Sequence, residues 1–202
     1  MDQNALWRIG YGLYVLTARE GERDNGCIVN TVMQITSSAP YRLVCAVNKK
    51  NYTHELIRRS GVFDLSILTE KAPLALYERF GFRSGRDVNK FDGLRGVKRS
   101  ENGLLYLTEG ANAYLSLRVT GESDFDTHTL FSAELTEAEL LSTDPSVTYA
   151  YYQEKIKPKP APKAKGWRCE ICGYVYEGEE LPPDFICPLC KHGVGDFVKI
   201  EE

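Results

Sequence analysis

The chain has 202 residues, 43% hydrophobic and 26% charged, with a formal net charge of -3. This is ordinary for a globular protein of one or two domains, and the slightly acidic balance argues against nucleic acid as a partner. No apolar run approaches a membrane span, no secretory leader is visible, and Cys27 and Cys45 stand alone inside β-like runs, which points to a reducing cytoplasm and to cysteines that serve packing.

In chain order, Leu13–Thr17 is apolar enough for a strand. Arg23-Asp24-Asn25-Gly26 reads as a turn, because Asn-Gly is a strong hairpin signal. Cys27–Thr36 alternates β-branched and polar residues and reads as one two-faced strand. Tyr41–Val47 is a further strand, and the polar Asn48–Tyr52 a turn. Thr53–Ser60 is a short helix closed by Gly61, and Ala72–Phe80 a second helix with Pro73 in its first turn. Between them Val62–Leu68 alternates as a strand. Gly81–Gly96 is a glycine- and charge-rich loop, and Leu104–Thr108, Ala113–Gly121 and Thr129–Leu141 complete the strands. Many short strands with few helices predict a mainly β barrel or sandwich rather than a doubly wound sheet. No G-x-G-x-x-G fingerprint follows a strand, so no Rossmann nucleotide site is expected.

Tyr149–Tyr152 closes a first domain spanning residues 1–152. Residues 153–166 (QEKIKPKPAPKAKG) form a linker whose alternating Lys and Pro favour an extended, self-repelling chain; at about 3.1 Å per residue it reaches roughly 40 Å. Residues 167–202 form a second domain too short to bury a competent core without help. That help is legible as Cys169-x-x-Cys172 and Cys187-x-x-Cys190, two knuckles whose four thiolates can close tetrahedrally on one metal ion. Geometry alone suits zinc or iron equally, and two structural disulfides are the weak alternative. Trp167, Tyr174, Tyr176 and Phe197 are expected to form the miniature core. This segment is acidic, with eight Asp/Glu against three Lys/Arg, whereas the linker carries five Lys and one Glu; an acidic metal module invites a basic docking partner.

By residue chemistry alone the first domain is underdetermined. Its histidines lack metal-ligand spacing, and no Ser-His-Asp or paired-carboxylate pattern is present. Small polar residues interrupt the β-runs at Asn30, Thr31, Gln34, Thr36, Ser37, Asn48, Lys49 and Thr53. These could hold a phosphate without a P-loop, although ordinary turns and caps explain most of them better.

Two resemblances add to this reading. Cys-x-x-Cys-Gly-Tyr-Val-Tyr-Glu-Gly, the return through Pro182 and Pro183, Cys187-Pro188-x-Cys190 and Asp196-Phe197 resemble a rubredoxin domain, with the short inter-knuckle loop of rubrerythrin tails. This implies a single iron, Fe2+/Fe3+, on Cys169, Cys172, Cys187 and Cys190. One departure is Lys191-His192, where many rubredoxins place a glycine after the last ligand. Residues 25–36, 47–53, 80–87 and 128–131 resemble the flavin-reductase-like family. That resemblance implies a split β-barrel binding FMN, commonly as a homodimer with FMN at the subunit interface. Joined, the two parts are similar to the high-molecular-weight rubredoxins of anaerobic bacteria. There, electrons pass from NAD(P)H through FMN to the rubredoxin and on to an acceptor, usually a flavodiiron protein that reduces nitric oxide or dioxygen.

Carried over residue by residue, the resemblance implies that Gln34 and Thr36 hydrogen-bond the isoalloxazine or ribityl chain. Asn48, Lys49 and Thr53 hold the phosphate, and Arg83 and Ser84 reach the phosphate or a second subunit's flavin. Asn30, Thr31, Ser37 and Val47 complete the flavin set. His128 corresponds to a histidine near flavin and nicotinamide and is the candidate catalytic residue. Two other readings remain open at this point: an electron carrier reduced by a separate reductase without binding nicotinamide, and a non-redox zinc-ribbon interaction module.

Overall fold

The computed structural model describes residues 2–158 and 166–200. Nine strands build the larger part: β1 (Tyr14–Glu20), β2 (Arg23–Val29), β3 (Val32–Gln34), β4 (Arg42–Asn48), β5 (Val62–Leu68), β6 (Val97–Arg99), β7 (Leu105–Leu107), β8 (Ala111–Asp124) and β9 (His128–Leu140). Seven form one antiparallel sheet in the order β2-β1-β5-β8-β9-β4-β3, and β6 and β7 make a separate hairpin. β2 and β3 are consecutive in the chain yet lie on opposite edges of the sheet. The sheet must therefore curl until its edges meet, and the gap between them is spanned by Asn30 and Thr31. The Ala46 amide donates to the Thr31 carbonyl at 3.0 Å beside that gap. The mainly β barrel or sandwich expected from the strand pattern is thus present as a barrel, in line with the split barrel that the resemblance implies.

The barrel closes over alternating apolar positions. Leu16, Leu65, Leu117 and Phe131 are fully buried on its inner face, each contributing roughly 1.5–3 kcal/mol by leaving water. Helix α1 (Tyr52–Ser60) buries Leu56 and Ile57, one helical face, against this core and ends at Gly61. Helix α2 (Leu74–Gly81), entered through Pro73, packs Leu76, Tyr77 and Phe80 into a second cluster with Leu13, Val15 and Tyr152.

Two local expectations fail, for identifiable reasons. The first hairpin turns at Gly21-Glu22, not at Asn25-Gly26, which lie inside β2 paired with Ala18 and Thr17. Gly21 has φ 57, so the tight turn is met by a glycine in the left-handed region. Gly26 serves packing instead: a side chain there would crowd the Phe80 ring and the Leu16 carbonyl. Residues 27–36 are also not one strand; the sheet edge changes at Asn30-Thr31. Further on, a helical turn α3 (Tyr149–Tyr151) runs into a π turn, Tyr152–Ile156, with Tyr152 buried. The first linker residues are therefore wound and packed rather than extended, while the expected extended stretch from 159 to 165 lies outside the described residues.

The second part is a three-stranded sheet, β11-β10-β12, of β10 (Gly166–Cys169), β11 (Val175–Tyr176) and β12 (Phe197–Ile200). Its core holds Cys169, Cys187 and Phe197, with Trp167 and Tyr174 packed against them as expected. Phe185 and Leu181 join them, and Phe185 stacks between the rings of Tyr174, Tyr176 and Phe197.

Candidate metal centre and cofactor pocket

The two knuckles are the same turn used twice. In the first, the Gly173 amide donates to the Cys169 carbonyl and the Cys169 amide to the Tyr174 carbonyl, both at 2.8 Å. In the second, the Lys191 amide donates to the Cys187 carbonyl at 2.9 Å and the Cys187 amide to the His192 carbonyl at 2.8 Å. Each turn needs a left-handed residue after its second cysteine, and these are Gly173 at φ 83 and Lys191 at φ 63. The second knuckle thus keeps its shape without glycine, at a backbone cost of about 1–2 kcal/mol.

The four sulfurs converge within 4.8 Å of one another, with Cys169–Cys190 and Cys172–Cys187 separations of 3.5 Å. Tetrahedral thiolates about 2.3 Å from a zinc or iron ion stand roughly 3.8 Å apart, so the set fits such an ion. All six cysteines are free thiols in this structure. Hydrogen bonds from Cys172 and Cys190 hold the Cys169 thiol far below its ordinary range, and the same contacts push those of Cys172 and Cys190 up. Thiols this close cannot all ionise without a cation among them.

The candidate cofactor pocket is a cleft of two adjoining lobes, each about 240 Å³, which share Asn48, Asn51, Gly81, Phe82 and His192. Together they approach the size of a small-molecule site. The first lobe is apolar and aromatic, walled by Leu13, Ile28, Tyr77, Tyr149 and Tyr152. The second is basic and polar: Lys50, Arg83, Arg86 and Lys90 line it with Thr53 and Ser84, and no carboxylate does. An aromatic lobe beside a cationic one suits a planar ring carrying a phosphate. A larger groove of about 710 Å³ on the β1–β2 hairpin is lined by five carboxylates and would repel such a ligand.

Of the residues proposed from sequence, Asn30 and Asn48 line the aromatic lobe, and Asn48, Thr53, Arg83 and Ser84 the basic one. The others lie elsewhere. Gln34 donates to the Thr36 carbonyl, and the Thr36 hydroxyl donates to Pro40 while accepting from the Arg42 amide, so both are engaged in the β3–β4 connection. Ser37 is exposed on that connection. Thr31 donates to the Asn30 side chain, and Val47 is buried in the core. Lys49 pairs with Asp124 at 3.3 Å. His128 sits opposite Asn48 across the β4–β9 ladder, one residue beyond the pocket wall. Its Nδ1 meets the Thr127 hydroxyl at 2.8 Å, and partial burial lowers its pKa.

Several lining residues escaped sequence reading. Asn25 is buried and donates to the Thr53 hydroxyl at 2.8 Å. Cys27 lines the basic lobe, and burial raises its thiol pKa. Lys90 is buried, its ammonium donating to the Gly26 and Phe80 carbonyls at 2.8 and 3.0 Å. Desolvation lowers its pKa, partly offset by Cys27. Nothing in the pattern around Lys90 distinguishes it from a solvated loop lysine.

Behind the wall runs a polar chain. The buried His54 meets the Thr129 hydroxyl at 2.8 Å; Thr129 donates to Asp124 at 2.6 Å, and Asp124 holds Lys49. Thr129 gives its proton to the carboxylate, so it accepts from His54, which fixes the neutral Nε2–H tautomer. Burial, reinforced by Arg58, lowers the His54 pKa accordingly.

The metal module forms part of the same cleft. Ile171 and His192 line the aromatic lobe, and Leu189, Cys190, Lys191 and His192 the basic one. Lys157 ties the two parts together by donating to the Glu170 carbonyl at 2.9 Å.

Residues 6–159 match the sequence model of the flavin reductase like domain. The chain belongs to the flavin-reductase-like family. Residues 167–198 match the rubredoxin-like domain of rubrerythrin, so this member carries a rubredoxin-like tail. The high molecular weight rubredoxin of Moorella thermoacetica shares that architecture, being 37% identical over 99% of this chain and 100% of its own. A ferric-chelate reductase (NAD(P)H) of Archaeoglobus fulgidus is 39% identical over 79% of this chain and 93% of its own. Among solved structures, an FMN-binding protein from Thermus thermophilus shares the fold, with TM-score 0.60 and 23% identity over 66% of this chain and 72% of that one. The flavin-reductase-like part thus shares the fold of that protein and is joined to a rubredoxin-like four-cysteine site. No helix among the described residues is long and apolar enough to cross a membrane.

Proposed function

We propose that this protein oxidises NAD(P)H and passes single electrons to a separate redox protein, such as a flavodiiron nitric oxide or dioxygen reductase. FMN would lie in the cleft and iron in the four-cysteine site. The observation that carries this reading is that one cleft is lined both by the flavin domain and by the metal ligand Cys190. When bound, FMN exchanges two electrons with a nicotinamide or one with a metal centre, and a tetrathiolate iron exchanges one.

The chain's own groups do the rest. The tyrosines and Ile28 exclude water from the aromatic lobe, while Asn48, Asn51 and Thr53 offer hydrogen bonds. Arg83 and Lys50 balance a phosphate. Asn25 fixes the Thr53 hydroxyl, and Lys90 ties β2 to the end of α2 behind it. No side-chain nucleophile is required. His128 lies across the β4–β9 ladder from the lining residue Asn48, and contact with a nicotinamide is the role proposed for it. The domain division at 152 and 167, a homodimer and a cytoplasmic location belong to the same reading.

The test is the visible spectrum of anaerobically purified protein before and after NADH or NADPH. Flavin and iron-thiolate bands that both bleach support the reading. Bands that neither nucleotide changes indicate a carrier fed by another enzyme, and a colourless zinc protein overturns electron transfer altogether.

A further inference from the structure

Five cations line the basic lobe, but they are not equally occupied. Arg86 is ion-paired with Glu55, and Lys90 is held by two carbonyls. Lys50, Arg83 and Lys191 make no ion pair among the described residues and meet no carboxylate in the cavity wall. Two of these three come from the flavin domain and the third from the metal module, so docking brings like charges together. Lys191 is also unusual in itself. It is the one non-glycine residue with positive φ among those described, in a turn whose twin uses glycine. The metal module has three basic residues against eight acidic ones, and one of the three occupies this strained corner facing a cationic cavity.

Like charges converging on an empty cavity repel, and the same charges around an anion attract. We propose that a phosphate group in the basic lobe bridges Lys191 to Arg83 and Lys50, so that the metal module docks on its own chain's cleft when that phosphate is present. Lys191 is then a positioning residue: it places Cys190, its neighbour, at the cleft. This rests on the function proposed above, because the phosphate is that of FMN or the pyrophosphate of the nicotinamide nucleotide.

The experiment uses the full metal-loaded chain, with small-angle scattering to read compactness and fluorescence titration to read flavin affinity. The ligands are FMN, riboflavin, and riboflavin with NAD+. Compaction by FMN but not riboflavin assigns the bridge to the flavin phosphate; compaction by riboflavin only when NAD+ is added assigns it to the nucleotide. In either case Lys191→Glu, whose carboxylate meets Arg83 and Lys50 directly, makes the chain compact without ligand, and Lys191→Arg keeps compaction dependent on it. Lys191→Gly, which suits the turn and removes the charge, weakens binding of the bridging ligand by roughly tenfold, the scale of a charge-assisted hydrogen bond. Equal compactness with riboflavin and FMN, with or without NAD+, or unchanged affinity and compactness in Lys191→Gly, overturns the proposal. Failure of FMN to bind the wild-type chain at all overturns the proposed function instead.

Discussion

If the two knuckles are one turn used twice, exchanging their left-handed residues has opposite effects on metal affinity. An added Cβ at Gly173 has as its nearest heavy atom Lys157 Cε at 3.9 Å, an ordinary contact, so Gly173→Ala tests backbone conformation alone. The left-handed region costs an L-residue about 1–2 kcal/mol, of which alanine returns roughly 0.4–1 by restricting the unfolded chain. A net loss of about 1 kcal/mol remains. Lys191→Gly reverses the sign, gaining roughly 0.5–1 kcal/mol by the same two terms. Metal binding and folding of so small a module are one equilibrium, so these energies appear in the metal dissociation constant. Gly173→Ala is expected to weaken it about fivefold and Lys191→Gly to tighten it about two- to fivefold. Competition between zinc-loaded protein and a chromogenic chelator at fixed pH reads both. Weaker metal binding in Lys191→Gly, or an unchanged constant in Gly173→Ala, would refute the equivalence of the turns.

Further outcomes follow from the pocket wall. Gly85→Ala drives a Cβ into Asn25 Oδ1, so Asn25 must leave Thr53; flavin affinity falls about tenfold or more, measured by fluorescence titration. Arg83→Ala weakens flavin binding several-fold, whereas Lys49→Ala, which removes a cation already paired with Asp124 outside the cavity wall, changes it by less than about twofold. His54 has a folded pKa below its unfolded value of about 6.5. The unfolded state therefore takes up the proton first as pH falls. The His54 contribution is whole above about pH 6.5 and is lost progressively below it. Urea midpoints of the flavin domain at pH of about 7.5 and 5.5 should separate more in wild type than in His54→Gln, with the visible metal band checked at both.

What was legible in the chain divides by the range of the interaction responsible. The Cys-x-x-Cys pairs, Gly61 as a helix stop and the alternation of Val62–Leu68 are local signals, and each element lies where its pattern placed it. Asn25-Gly26 misled because tertiary packing overrides the turn preference of the pair and holds it inside β2. Phe80 and Thr53, 54 and 28 residues away, supply that packing, and neither is visible from the dipeptide. The break at Asn30-Thr31 is likewise a consequence of closing the sheet, which no window of residues 27–36 contains. Asn48 and Thr53, singled out by residue type and by resemblance, and Arg83 and Ser84, by resemblance alone, line the cleft. Lys90 and Asn25 were not recoverable, because their burial is created by the loop and helix that fold over them.

The Lys191 position shows how such a conflict between local rule and observed residue can be used. Glycine would serve the knuckle better, and the backbone N–H at this position, which bonds the Cys187 carbonyl, is supplied by either residue. The side chain must therefore be judged by where it reaches, which is the basic lobe of another domain. A module with eight acids could have presented one of them to Arg83 and Lys50 and docked permanently. Presenting a lysine instead makes docking conditional on an anion between them. A permanently closed cleft would shut out a nicotinamide and keep Cys190 from any outside acceptor, so a contact that depends on its ligand is the form of contact the proposed electron path requires.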